Sequence, residues 1–277
     1  MTKVNRRDVI RVGGVVFMSG AAGALQAFLT ACGSSSGGSS SSGSSSSSSS
    51  TSGSSGSSSS SCSLSTNVTR GPYFVDNQSD PHISNDVVDA TISQRSDIRS
   101  DTKGASGTQP GLPLTLTLNV SAYSNGTCAP LPNAQVHIWH CNAQGIYSDV
   151  QSYTSENFLR GYEYTDANGQ VTFTTVYPGW YSGRAVHIHV KVRVFDSSGS
   201  VTTEATTQLF FDDSVSTAVY ATSSSYSRSG ARDTLNTNDN IYASENPALL
   251  VALSGSAASG YTGNVSIGVN VGTIFGG

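Results

Sequence analysis

From residue 114 onward, apolar and polar positions alternate repeatedly with a period of two. Leu114, Leu116, Leu118 and Val120 alternate with Thr115, Thr117, Asn119 and Ser121. The same alternation recurs at Val136/Ile138, at Val171/Phe173 and at Val265/Ile267/Val269/Val271. Successive side chains of a strand point to opposite faces, so each run predicts a strand with one face in the core. Between Tyr164 and Val171, Asp166-Ala167-Asn168-Gly169 supplies turn chemistry, with Asn-Gly suited to positive φ. Helical periodicity is weak, and only the stretch from Pro247 to Leu253 reads as a short helix. Many short strands joined by polar turns predict an all-β fold: an antiparallel β-sandwich with long loops and few short helices.

The run from Val186 to Phe195 carries the first chemical signal. Val186, Ile188, Val190, Val192 and Val194 share one face, while His187, His189, Lys191 and Arg193 share the other. The two imidazoles then stand roughly 7 Å apart along the strand and point the same way. Both can reach one metal ion. Taken alone the pair is weak, because histidines on a solvated strand face are commoner than metal sites.

Composition divides the chain sharply. Residues 34–61 are Ser and Gly throughout, with Thr51 the exception. Such a run buries nothing apolar and predicts a flexible tether over residues 33–61, roughly 30 Å in r.m.s. span. The remainder, about 215 residues, suffices for one domain with a sizeable core, placed at residues 62–277. Net charge is −4, and no Lys/Arg cluster follows the N-terminus. A nucleic-acid partner, which needs a basic stripe, is therefore not expected.

Residues 1–32 read as an export signal. Arg6 and Arg7 precede a weakly apolar run, Val12 to Leu29, interrupted by Gln26. The paired arginines resemble a twin-arginine signal, and the run is a poor transmembrane span. It ends in Leu29-Thr30-Ala31-Cys32, which resembles a bacterial lipobox and makes Cys32 the expected lipidation site. The expectation is an exported protein touching a membrane through a lipid anchor only. Cys62, Cys128 and Cys141 remain. If residues 134–141 form one strand, Cys128 and Cys141 lie too far apart to pair unless the loop doubles back. Cys62 pairing with either is at least as good, and the pairing stays open.

Several segments together carry a family resemblance. Pro178-Gly179-Trp180-Tyr181-Ser182-Gly183-Arg184-Ala185-Val186-His187-Ile188-His189 places a Tyr before Arg-x-x-His-x-His. Pro132 to Ser148 brings a second tyrosine, Tyr147. Thr69-Arg70-Gly71-Pro72-Tyr73-Phe74, Arg95-Ser96-Asp97-Ile98-Arg99, Phe158-Leu159-Arg160-Gly161 and Thr207-Gln208-Leu209-Phe210-Phe211 follow in matching order. Over roughly residues 62–215 the chain resembles the intradiol ring-cleavage dioxygenases. It is most similar to the stand-alone exported type with a protocatechuate-like core, since no helical N-terminal domain is legible.

The resemblance implies one Fe(III) per domain, held by Tyr147, Tyr181, His187 and His189, with Tyr181 and His189 axial. It implies a small aromatic diol and O2 as reactants, cleavage between the hydroxyl-bearing carbons, and a cis,cis-muconate-type product. Arg184 would stabilise charge on the ring, Tyr181 would take a substrate proton, and Gln208 would assist. Pro72 and Tyr73 would line the ring pocket with Arg184. Hard ferric iron suits phenolate donors, because an adjacent cation drives deprotonation of a phenol. Trp139 and His140 read as core residues, His82 as a loop residue, and His137 is given no role. The ring substituents and the oligomeric state, monomer included, are left open. A tethered, non-catalytic sandwich binding catechol-like chelates or glycans is the competing expectation.

Overall fold

The computed structural model describes residues 63–82, 86–104, 107–228, 230–245 and 249–275. They belong to one compact unit, Gly56–Gly277. The expected signal segment, Cys32 and nearly all of the Ser/Gly run lie outside the described residues.

Two five-stranded sheets face each other. One comprises β1 (Pro113–Ser124), β2 (Thr127–Pro130), β5 (Gln170–Val176), β9 (Ala252–Ser256) and β10 (Gly260–Asn270). The other runs in the order β4 (Arg160–Tyr164), β3 (Gln135–Trp139), β6 (His187–Phe195), β7 (Val201–Phe210), β8 (Leu249–Leu250). The sandwich is as expected, but the sheets are mixed. β1 pairs with β10 in parallel, as β7 does with β8, while the remaining strand pairs are antiparallel. Between them the alternating apolar residues meet: Leu114, Leu116, Leu118, Val120 and Phe173 share one core with Val136, Ile138, Ile188, Val190 and Val192.

One local expectation changes. The stretch from Pro247 to Leu253 is not helical where it is described: it contributes β8 and the start of β9. Leu249 and Leu250 pair with the edge of β7, and Val251 N–H donates to Phe210 O at 2.9 Å. An open strand edge outweighs a weak helical pattern there. The helices are instead α1 (Asp213–Thr222) and α2 (Asn240–Ser244), capped by Asp212 and Asp239. Among the described residues no helix is long and apolar enough to cross a membrane. The Asp166 turn forms as expected, with Gly169 at φ 73° and Asp166 Oδ1 accepting from Asn168 N and Gln170 N. Cys128 is disulfide-bonded and Cys141 is a buried free thiol, so these two do not pair.

The second face of the β4-β3-β6-β7 sheet matters most for function. Its register aligns Arg160, Trp139, His189 and Gln208 in one row, Tyr162, His137, Lys191 and Thr206 in the next, and Tyr164, Gln135, Arg193 and Glu204 in a third. Alternation suggested a solvated face, yet His187, His189, Lys191 and Arg193 are all buried. The N-terminal segment covers them. Arg193 binds Asp76 and Asp80 from that segment, the latter at 2.8 Å, and Glu204 Oε2 at 2.8 Å. Lys191 Nζ donates to Glu204 Oε1 at 2.7 Å and sits 4.7 Å from the Phe74 ring centroid. Removing one member leaves a buried charge uncompensated, which costs far more than the pair contributes. Glu204→Gln is therefore expected to lower stability by about 3–5 kcal/mol in chemical denaturation. A loss below about 1 kcal/mol, the value of a surface pair, would contradict a sealed cluster.

Candidate metal centre

Four side chains from three segments converge at one end of β6. His187 and His189 come from the strand itself, Tyr147 from the β3–β4 connection, and Tyr181 from the loop leading into β6. The two imidazole Nε2 atoms lie 3.1 Å apart. Tyr181 Oη is 3.1 Å and Tyr147 Oη 3.5 Å from His187 Nε2. The phenol rings of Tyr147 and Tyr181 meet edge-on at 5.7 Å.

Each donor is aimed by its neighbours. His187 Nδ1 lies 2.6 Å from Ala185 O, a contact that places its proton on Nδ1 and turns the Nε2 lone pair inward. The His189 ring stacks on Trp139 at 4.8 Å and 5°. Arg160, fully buried, donates to Ser148 O at 3.0 and 2.7 Å and fixes the chain just after Tyr147. Gly71 passes so close that a Cβ there would lie 3.1 Å from His189 Cε1, at a φ of 72° that disfavours any side chain.

The electrostatics suit a cation. Burial pushes His187 down to about 3 and His189 well below the ordinary histidine value, so both rings are neutral donors. Burial likewise raises the Tyr147 phenol well above its usual range, and lifts Tyr181 to about 12 against the opposing pull of Arg184. A bound metal cation would reverse that balance and drive the release of both phenol protons. Donors about 2.1 Å from a common ion stand about 3.0–3.4 Å from one another, close to the 3.1, 3.1 and 3.5 Å separations found here. Two neutral imidazole nitrogens facing each other also call for a shared proton or cation. The residues fit a metal. Among the described residues no group of three or more His, Cys, Asp or Glu could hold one; this donor set draws half its members from tyrosine.

Arg184 faces the cluster with Nη1 3.5 Å from His187 Nε2. Its other edges are held: Nε donates to Asp239 Oδ2 at 2.8 Å and Nη2 to Gln208 Oε1 at 2.6 Å. Gln208 is fully buried and donates from Nε2 to Thr69 O at 3.1 Å, so it positions Arg184 and links it to the N-terminal segment. Asp239 also accepts from Ala185 N at 2.7 Å and caps α2. Burial opposes its ionisation, but bonds from Arg184, Ala185 and Tyr242 outweigh burial and hold its carboxyl below the usual range. Sequence reasoning missed Asp239. The only local signal was an acidic residue at a helix start, and nothing tied it to an arginine 55 positions away.

Tyr73 stacks near Tyr147 at 4.7 Å and meets Tyr181 at 6.2 Å, forming a wall of the site, and Gln151 Nε2 reaches its hydroxyl at 3.4 Å. Pro72, beside it, is exposed. His140 is buried and satisfied by Cys141 O and Thr175 Oγ1, whereas His82 sits exposed in a turn.

A family model described as Dioxygenase matches residues 70–247. Among solved structures, the chain is similar to an intradiol ring-cleavage dioxygenase from Tetranychus urticae, at 29% identity and a TM-score of 0.59, covering 76% of this chain and 95% of that one. A second dioxygenase crystal structure matches at 30% identity and a TM-score of 0.59, with the same coverage. Among curated proteins nothing matches. The matched span takes in Tyr147, Tyr181, Arg184, His187 and His189, and this chain belongs to the intradiol ring-cleavage dioxygenase family.

Proposed function

We propose that the protein is a ferric dioxygenase that opens catechol-type rings between their hydroxyl-bearing carbons, giving cis,cis-muconate-type products. The convergence of two phenols and two imidazoles, with Nε2 atoms 3.1 Å apart, carries this reading. Tyr147, Tyr181, His187 and His189 would hold one Fe(III), which when bound supplies the charge that ionises a diol and the redox chemistry that engages O2.

The chain's own residues supply the rest. Tyr181 is the more exposed phenol of the two, placed to take a substrate proton at Oη. Arg184 presents a fixed cation to the ring, where negative charge develops, and needs no reorganisation to do so. Tyr73 closes one side and excludes water. An exported, lipid-anchored location, with Cys32 as the anchor and residues 33–61 as the tether, completes the proposal; the N-terminal motifs support it.

Oxygen uptake by the iron-loaded chain across catechol, protocatechuate and hydroxyquinol tests the activity. Uptake matched one-to-one by a ring-opened diacid is expected. Iron binding with no uptake from any member of the panel would leave the binding-module reading in its place.

Asp239→Asn keeps the helix cap but weakens the hold on Arg184. Roughly 10–100-fold slower turnover with unchanged iron content is expected, the range typical of groups that orient a metal site. The loss should largely vanish in an Arg184→Ala background, because the two act as one unit. Full additivity would assign Asp239 a merely structural part.

A further inference from the structure

An aromatic path leads away from the donor cluster along the buried sheet face. It starts at Trp139, wholly buried and parallel to His189 at 4.8 Å. His137 lies 5.6 Å from Trp139 and 6.3 Å from Tyr162, and Tyr162 lies 6.0 Å from Tyr164. Tyr164 is 42% exposed. β-sheet register places all four on one face, as neighbours across β3 and β4.

We propose that Trp139, Tyr162 and Tyr164 form a one-electron relay that carries oxidising equivalents from the donor cluster to the protein surface when no aromatic substrate is bound. It rests on the ring-cleavage reading, which puts a redox metal and O2 chemistry beside His189.

Two details favour transfer over trapping. Among the described residues Trp139 Nε1 has no hydrogen-bond partner. Indole nitrogen is a donor only, so an oxidised Trp139 finds no base, keeps its proton and remains a strong oxidant toward a nearby phenol. Both nitrogens of His137 also lack partners among the described residues, and burial pushes that ring down to about 3. A neutral π system therefore bridges Trp139 and Tyr162. At the far end Tyr164 can release its phenolic proton to water.

With a hydroperoxide as oxidant the electrons balance. The O–O bond of hydrogen peroxide breaks, and two electrons with two protons from solvent give two waters. Tyr162 and Tyr164 each lose one electron and one proton and become phenoxyl radicals. Trp139 passes each electron inward and ends unchanged.

The test treats iron-loaded chain with hydrogen peroxide and a nitroso spin trap, without catechol, and maps adducts by peptide mass spectrometry. Adducts concentrated on Tyr164 and Tyr162, absent from iron-free protein, are expected. Tyr162→Phe should remove the Tyr164 adduct and shift oxidation back to Trp139. That substitution removes one oxygen from a half-buried residue, so folding is not at risk as it is with Trp139→Phe. Tyr164 labelling unchanged in Tyr162→Phe, or equal labelling of Tyr123 on the other sheet, would overturn the relay. Catechol turnover measured in parallel separates the two readings. Ring cleavage without Tyr164 labelling removes the relay alone, whereas labelling without ring cleavage removes the activity alone.

Discussion

Tyr147→Phe is expected to give a folded protein that neither retains iron nor develops visible colour. The substitution removes one oxygen from a side chain that is 5% exposed. Its hydroxyl contacts His187 Nε2 at a long 3.5 Å, and the ring keeps its packing against Tyr73 and Tyr181. The fold therefore loses little. A metal site loses a charged donor, and because changes to mere supporting groups already cost 10–100-fold in affinity, a loss beyond about 10²-fold follows. Iron content after dialysis, read beside the denaturation midpoint, checks both halves. Wild-type iron content with an unaltered spectrum would remove Tyr147 from the site.

Arg184→Ala should behave in the opposite way, keeping iron and colour while turnover falls by about 10²–10³-fold, the usual effect of deleting one preorganised charge-stabilising donor. Arg184 is anchored on two sides, by Asp239 and Gln208, so its cation is fixed before substrate arrives. Arg184→Lys should recover little, because a single ammonium cannot satisfy both anchors and still face the cluster. Steady-state kinetics with matched iron loading is the measurement. Turnover at the wild-type rate would leave Arg184 as a structural ion-pair partner of Asp239.

Period-two alternation made the sandwich legible, because one face of each strand had to be apolar to fill the space between two sheets. It also placed His187 and His189 side by side, and the motif around Tyr181 and Tyr147 supplied the other donors. Burial of Lys191 and Arg193 was not legible. Alternation reports only that a face is polar, and the aspartates that cover it, Asp76 and Asp80, lie more than a hundred residues away. The parallel pairing of β1 with β10 is equally silent in sequence, since periodicity carries no information about partners. Helix α1 was missed because Asp213–Thr222 is rich in Ser and Thr and buries only Ser216 and Val219. A face that narrow leaves no apolar stripe to read.

Visible absorption with resonance Raman on the chain loaded with one equivalent of Fe(III) bears most directly on whether two phenolic oxygens and two imidazoles share one ion. A red to burgundy protein with tyrosinate vibrations enhanced under the visible band is the expected result. Stoichiometric iron uptake by a colourless protein, with no tyrosinate signature, would contradict it.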